Sequence, residues 1–582
     1  ADKRSAALEI SSAPLFTRKR SSLWSAEHLE HLNPEQKQAV VNKAGPVLII
    51  AGPGTGKTLT LTYRIASLVE ERGVPAERIL ALTFTQRAAR EMEERLRALL
   101  GASDGEVPVR IRTFHALGAE ILREAGPSLG IPEDYFILGR EESAGLLRRA
   151  LPSLGGKDAN ALLERISQAK RDLAYPEDGA ERIGDATFLQ AFERYQGILE
   201  DYRALDYDDL VAKAVRLMTG LPDFAEKVAG RLSAVCVDEY QDVNQAQYRL
   251  LRHLSAEVTD LTAIGDPHQA IYGFRGATPA YFLQFKQDYP QGKVVQLVRN
   301  YRSTENVLFA SVEMLSKGID KDRIPSLVPT EQAGARVHVS DLATEKAEAI
   351  FIAQTIERLM GGTDSLSFYA DKVAGDEGSV CGSFGDIAIL FRLKALAPGL
   401  EQALAHQGIP YQSVGQGDRM RGRQGRAILA VLRCLWNPDD KLARDLVAGE
   451  FNKSPGEFLE QTAPYRRERA ERRCSVREWI EGMGELEWLD LEEESWKEAW
   501  EALVRMSVSF GNDREGFLGA LALSQDTDFL ERKVERVTLA TLHAAKGLEF
   551  PVVFIAGCED LLLPCHVGAQ ETDLEEERRL FY

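Results

Sequence analysis

The sequence lacks any uninterrupted apolar run approaching the ~20 residues needed to span a bilayer, so no membrane-spanning helix and no membrane partner are expected. It also lacks a basic excess: 71 Lys and Arg stand against 89 Asp and Glu, a net charge of −18. That excludes a protein coating nucleic acid through a global positive field. A local basic or aromatic groove stays open, because screening confines charge effects to about 8–10 Å at physiological salt. The six cysteines, at positions 236, 381, 434, 474, 558 and 565, form no CxxC pair and have no histidine at ligand spacing. Zinc sites and a disulfide framework therefore give way to thiols in a reducing cytoplasm. A signal peptide is lacking too, since no apolar core follows Ala1-Asp2-Lys3-Arg4. Further segments are expected before Ala1.

What is present is a globular composition: 582 residues, 44% apolar and 27% charged, enough for several domains with cores of their own. Residues 1–31, with the basic cluster Arg18-Lys19-Arg20, read as a linker or tail. From Leu32 to His115 apolar strands alternate with amphipathic helices: Val47–Ile50, Thr60–Arg72, Ile79–Phe84, Arg87–Leu100 and Val109–Thr113. This βαβαβ pattern predicts a parallel sheet with crossover helices. Strand signals vanish over 116–203, a predicted helical insertion, and return at Ala234–Val237, Leu261–Ile264 and Val294–Leu297. A second α/β unit follows, with strands predicted near Val337–Ser340, Ile387–Phe391 and Tyr411–Val414. A helical stretch over 417–532 precedes the last strands, Val537–Thr541 and Val552–Ala556. The expected architecture is α/β, with two parallel-sheet cores each carrying a mostly helical insertion. The first core is 32–115 with 204–299, the second 300–416 with 533–582. Gly361–Gly385, rich in Gly, Ser and Asp, reads as a surface loop.

Directly after Val47–Ile50 stands Ala51-Gly52-Pro53-Gly54-Thr55-Gly56-Lys57-Thr58. A glycine-rich turn between a buried strand and a helix points backbone N–H groups at phosphate oxygens. Lys57 would reach the β- and γ-phosphates and Thr58 would ligate Mg²⁺. Such a loop needs a metal carboxylate and a base at a neighbouring strand end. Asp238 and Glu239, after Ala234–Val237, fill those roles, Asp238 on the metal and Glu239 on the attacking water. Gln269, in the turn after Leu261–Ile264, can hydrogen-bond the γ-phosphate or that water. Arg302 would meet the γ-phosphate from across a cleft, and Tyr301 offers a ring to the base. Glu549, before a strand, is placed to accept from a ribose hydroxyl. Aromatics stand at the same strand ends: Phe84 beside Thr85, Phe114 and His115 after Thr113, and Tyr272 and Phe274 before Arg275. Rings in such places stack on unpaired bases without reading sequence. Core packing is the competing explanation and suits Phe114 best.

The order and spacing of these segments, with Leu32-Asn33-Pro34-Glu35-Gln36, Thr83–Met92, Leu205–Leu210, Gly265–Ala277, Asn300–Ser303 and His543–Phe550, resemble the UvrD/Rep family of superfamily-one DNA helicases. The resemblance runs from Leu32 to Tyr582. It implies two RecA-like motor cores and an ATP-driven 3′ to 5′ translocase acting on single-stranded DNA and single-strand/duplex junctions, with ATP and Mg²⁺ as cofactors. By motif match Gln36 and Tyr301 would bind adenine, while Lys57, Thr58, Asp238, Glu239, Gln269 and Arg302 act on triphosphate, metal and water. Phe84, His115, Tyr272, Phe274 and His543 would face DNA. The chain departs from the family pattern at Leu59, usually Arg, and at Phe274, usually Trp. It also reaches only the opening of the last motif, Glu575–Tyr582, so these residues are expected to bind ATP and hydrolyse it slowly, with a further segment after Tyr582. Two other readings share the motifs: the motor part of a helicase–nuclease, and an ATP-gated DNA-binding module without unwinding. No nuclease-like carboxylate cluster stands in the sequence.

Overall fold

The computed structural model describes residues 29–42, 45–101, 109–256, 258, 260–317, 326–330, 333–361, 382–414, 422–486, 489, 491–523, 534–566 and 573–582. Residues 1–28 of the expected linker, most of the Gly361–Gly385 loop, and Cys381 lie outside them. The first sheet is built from β1 (Val47–Ala51), β2 (Ile79–Thr83), β3 (Arg110–Thr113), β4 (Ala234–Val237), β5 (Asp260–Gly265) and β6 (Lys293–Leu297). They run in the order β3-β2-β4-β5-β1-β6, all parallel, with Ile50 in register with Gly265 and Val237 with Ala263.

Alternation along each strand sends side chains to two faces, and both are covered. Leu48, Leu80, Leu82, Val235, Val237 and Leu261 face the helices Phe114–Ala125, Tyr207–Gly220 and Gln245–Leu254. Val47, Ile49, Ile79, Ala81, Ala234 and Ile264 face Lys57–Glu70 and Gln86–Leu100. Each large aliphatic so buried contributes about 1.5–3 kcal/mol. The helix Phe114–Ala125 packs on the first sheet through Phe114, Leu117, Ile121 and Leu122, although its periodicity groups it with the insertion. The stretch 116–203 also holds a strand the periodicity missed, Phe136–Leu138, paired with Ala204–Asp206. Three residues are too few to alternate visibly.

The second sheet contains β7 (Ile387–Phe391), β8 (Tyr411–Ser413), β9 (Val537–Thr541) and β10 (Val552–Ala556), ordered β8-β9-β7-β10 and parallel throughout. The strand predicted near Val337–Ser340 does not form. Val337 and Val339 are 54% and 94% exposed, and without a partner strand an alternating run gains neither ladder nor core. The second insertion, helical from Arg423 to Leu523, has its own aromatic core around Trp479, Trp496 and Phe517. Its Leu442 lies in the core of the first insertion. Of the described cysteines, Cys236, Cys434, Cys474 and Cys565 are buried and Cys558 is exposed, none of them in a disulfide. No described helix is long and apolar enough to cross a membrane.

In a parallel sheet every carboxyl end lies on one edge, and ligands bind there. The neighbours β1, β5 and β4 thus bring the glycine-rich loop, the Gln269 turn and Asp238–Glu239 side by side. The ends of β2 and β3 carry Phe84 and Thr113 along the same edge.

Candidate nucleotide and DNA site

The helix Lys57–Glu70 starts at Gly56 in the left-handed region, and no side chain caps it, so its first amides stay available to an anion. Gly54 and Gly56 have φ of 65° and 83°. A Cβ at Gly54 would stand 2.6 Å from Arg302 Cβ, and one at Gly56 would stand 2.7 Å from Gln36 Nε2. These two positions admit only glycine, which keeps a backbone cradle open for phosphate oxygens. The helix is pinned from behind. Arg64, fully buried, donates to both carboxylate oxygens of Asp260 (2.9 and 3.0 Å), to Thr262 Oγ1 and to the Ala39 carbonyl. Removing one partner of such a buried pair costs about 3–5 kcal/mol.

Two expected catalytic groups converge on Lys57. Its Nζ donates to Gln269 Oε1 at 2.7 Å and lies 3.7 Å from Glu239 Oε1. Glu239 has a positive φ of 47°, an uncommon conformation for a residue with a side chain. Burial opposes its ionisation, but Lys57, Lys546 and a hydrogen bond from Gln241 outweigh this and hold its pKa below the usual value. Asp238 behaves oppositely: burial, then the charge of Glu239, push it up to about 7. Two adjacent carboxyls are thus driven apart, one held ionised and one awaiting a cation. Among the described residues no cluster of three or more acidic, His or Cys side chains could hold a metal alone. One carboxylate, the Thr58 hydroxyl and substrate phosphates form a donor set that suits Mg²⁺, which keeps most of its ligands as water and phosphate. The residues fit the ion.

The segment after β6 folds back onto the loop. Asn300, fully buried, donates from Nδ2 to the Pro53 carbonyl at 2.7 Å, and the Tyr301 N–H donates to the Gly54 carbonyl at 2.9 Å. The Tyr301 ring is half exposed, its hydroxyl accepting from Asn33 Nδ2. Gln36 is differently placed from an open base-reading group. It is 3% exposed, its Oε1 accepts the Asn33 N–H in a capping box, and its Nε2 donates to the Thr55 carbonyl at 3.0 Å. Arg302 and Glu549, expected on γ-phosphate and ribose, pair with each other at 2.8 Å.

A residue with no assigned role in the sequence joins the two cores. Lys546, from the turn after β9, forms an ion pair with buried Asp242 and donates to the Gln269 carbonyl at 2.8 Å. Its Nζ also sits 4.9 Å over the Tyr272 ring. A lone charge in Ala544-Ala545-Lys546-Gly547 is its only sequence signal. From Tyr272 the contacts continue to Phe274 (6.0 Å, edge-on) and from Phe274 to His543 (5.5 Å, edge-on). Arg275 lies over both Tyr272 and Phe274, and Phe274 is 55% exposed. His115 stacks near Tyr207 with centroids 3.7 Å apart; burial, then Arg275, lowers its pKa to about 3. Burial, then Arg392, lowers that of His543 to about 4. Both rings are therefore neutral near pH 7.

The remaining expected DNA contacts are more inward. Phe84 packs against Phe114 at 5.5 Å. Thr85 and Thr113 cap the helices that follow them, accepting from Ala88 N and Ala116 N, and Thr113 is 2% exposed. They position helices. The helix Leu574–Phe581 also ties the cores: Glu577 pairs with Arg392, Glu576 accepts the Gly273 N–H at 3.0 Å, and Arg579 donates to the Ala270 carbonyl.

Comparison with known proteins identifies the family. The family profile of the UvrD/REP helicase N-terminal domain matches residues 32–290, and that of the UvrD-like helicase C-terminal domain matches 295–482 and 456–582. The chain is 33% identical to the ATP-dependent DNA helicase PcrA of Bacillus subtilis, over 96% of this chain and 82% of that protein. It is 31% identical to PcrA of Leuconostoc citreum and 32% identical to UvrD1 of Mycobacterium tuberculosis, each over 95% of this chain and 80% of the relative. The chain belongs to the UvrD/Rep family of helicases.

Proposed function

We propose that this UvrD/Rep-family helicase is an ATP-driven translocase on single-stranded DNA, moving 3′ to 5′ and separating duplex at a junction ahead of it. The observation that carries the reading is the continuous set of contacts from Lys57 through Gln269 and Lys546 to Tyr272, Phe274 and His543. One end touches the phosphate loop and the other is an exposed aromatic surface, so a change at the γ-phosphate moves the groups that stack on bases.

The geometry supports the following roles. The Gly54–Gly56 cradle and the first amides of Lys57–Glu70 bind the triphosphate, and Lys57 exchanges Gln269 for phosphate oxygen. Thr58 and Asp238 would hold Mg²⁺, which neutralises charge on the phosphates. Glu239, kept ionised, orients water and takes its proton. Tyr301 supports the base, and Gln36 braces the loop rather than reading it. Arg302 leaves Glu549 for the γ-phosphate as the cores close, and Glu549 is then free for the ribose. Closing and opening alternate the grip of the two cores on DNA.

A strand-displacement assay tests this reading, with duplexes carrying a 3′ or a 5′ single-stranded tail and Lys57→Ala as the blank. ATP-dependent unwinding from the 3′ tail is expected. Unwinding only from the 5′ tail overturns the polarity, and binding without unwinding leaves an ATP-gated clamp.

A further inference from the structure

On the first core, away from the cleft, the helices Gln245–Leu254 and Ala280–Asp288 flank a cavity of about 440 Å³, within the size range of small-ligand sites. One wall is aromatic: Tyr248 and Tyr281 stack with centroids 4.3 Å apart and planes 15° from parallel. Tyr248 is buried and Tyr281 half-buried, so the pair presents an outer π-face. The floor is polar. Asp288 accepts from the Tyr248 hydroxyl, accepts from Gln284 Nε2 at 3.1 Å, and pairs with Arg252 at 3.0 Å. That carboxylate is fully occupied and its charge is cancelled by Arg252. Among the lining residues the uncancelled charge is that of Arg249, which is exposed and makes no hydrogen bond or ion pair among the described residues; Tyr281 feels this guanidinium and, more weakly, the Asp172 carboxylate. In a chain of net charge −18, a stacked aromatic pair beside an uncommitted guanidinium is a local exception.

We infer that this cavity is an accessory site for one nucleotide of an unpaired DNA strand, its base stacked on Tyr281 and its phosphate on Arg249. The inference rests on the DNA-translocase reading above. Tyr281 lies six positions beyond Arg275 on the same β5-to-β6 connection that carries the exposed Phe274. The cavity and the exposed Phe274 thus belong to the same core, so a strand held at both would not need to cross to the other core. Base–aromatic stacking is strong and indifferent to sequence, which suits a protein that must pass over every base. Charge also favours DNA over an acidic-peptide partner only in part, but the parallel ring pair favours a flat base over a peptide.

The test compares oligothymidylates of about eight and about twenty nucleotides, the shorter within the usual span of a single binding groove. Arg249→Ala and Tyr281→Ala are each expected to weaken the longer strand about tenfold and leave the shorter unchanged, whereas Tyr281→Phe keeps both affinities. A 5-iodouracil placed along the longer strand is expected to cross-link to Tyr281 or Tyr248 from one position. Unchanged affinity for the longer strand in both alanine variants, equal weakening at both lengths, or no cross-link to either tyrosine overturns the site. If the unmodified protein binds neither length, the DNA reading itself fails, so the two failures are distinguishable.

Discussion

The two sides of the nucleotide cleft are built differently. On the first-core side the groups are buried and held by backbone geometry: glycines that must be glycines, an uncapped helix start, and Lys57 between Gln269 and Glu239. On the facing side Arg302 and Glu549 have side chains 45% and 62% exposed and hold each other. A pair that exposed is worth about 0–1 kcal/mol. The first side is therefore fixed in a binding geometry, while the second can change partners at little cost. The difference predicts that affinity for nucleotide resides with the first side and response to nucleotide with the second.

Arg302→Ala gives the largest expected effect. Hydrolysis falls on the order of 10³-fold or more while ATP binding is nearly kept, because a guanidinium at the γ-phosphate stabilises charge that develops only in the transition state. Steady-state kinetics beside equilibrium nucleotide titration checks this; equal loss of both would place Arg302 among the binding groups and erase the comparison. Lys546→Ala comes next. It leaves Asp242 buried without its cation, which is expected to cost about 3–5 kcal/mol in urea unfolding and to cut the link between nucleotide and DNA. Lys546→Arg keeps the charge and separates the two effects: stability should largely return, and a linkage that returns equally would make Lys546 a purely structural tie.

How far this was legible in the sequence depends on distance along the chain. Asp238 and Glu239 could be read because they follow their strand directly, and Lys57 and Thr58 because they close the glycine-rich turn after theirs; a strand end in a parallel sheet fixes where the next residues lie. Both cores were legible as well, since short, mostly apolar strands alternate with amphipathic helices. Partnerships were not. Lys546 and Asp242 are 304 residues apart, and nothing local says that they meet. Gln36 was expected at the adenine from its motif, and nothing local announced that its amide also bridges Asn33 and the Thr55 carbonyl. Thr113 was expected among the DNA contacts at a strand end, and the same residue type serves as an N-cap, the position it takes here. The false strand at Val337–Ser340 had the right alternation and no partner.

Two smaller effects sharpen the comparison within the first core. Phe274→Ala is expected to weaken single-stranded DNA by about 1–3 kcal/mol in fluorescence anisotropy, with DNA-free hydrolysis unchanged. A matching loss of hydrolysis without DNA would mean that the aromatic turn supports the nucleotide site itself. His115 concerns pH. Its folded pKa of about 3 lies below the unfolded value near 6.5, so the unfolded chain takes up the proton first as pH falls. Its neutral-state stability is complete above pH 6.5 and declines as pH drops toward 3, by about 2 kcal/mol at pH 5. Urea midpoints at pH 7 and pH 5 should therefore differ less in His115→Gln than in the parent protein; an equal difference would place the titration elsewhere.

The most direct measurement is the affinity for a single-stranded oligonucleotide with and without a non-hydrolysable ATP analogue, in the parent protein and in Lys546→Arg and Arg302→Ala. Coupling between sites is reciprocal, so a nucleotide that closes the cleft must change DNA affinity. A several-fold change in the parent, lost or strongly reduced in both variants, is expected. The same DNA affinity with and without the analogue in the parent, or a full response in Arg302→Ala, would contradict a cleft with one fixed side and one responsive side.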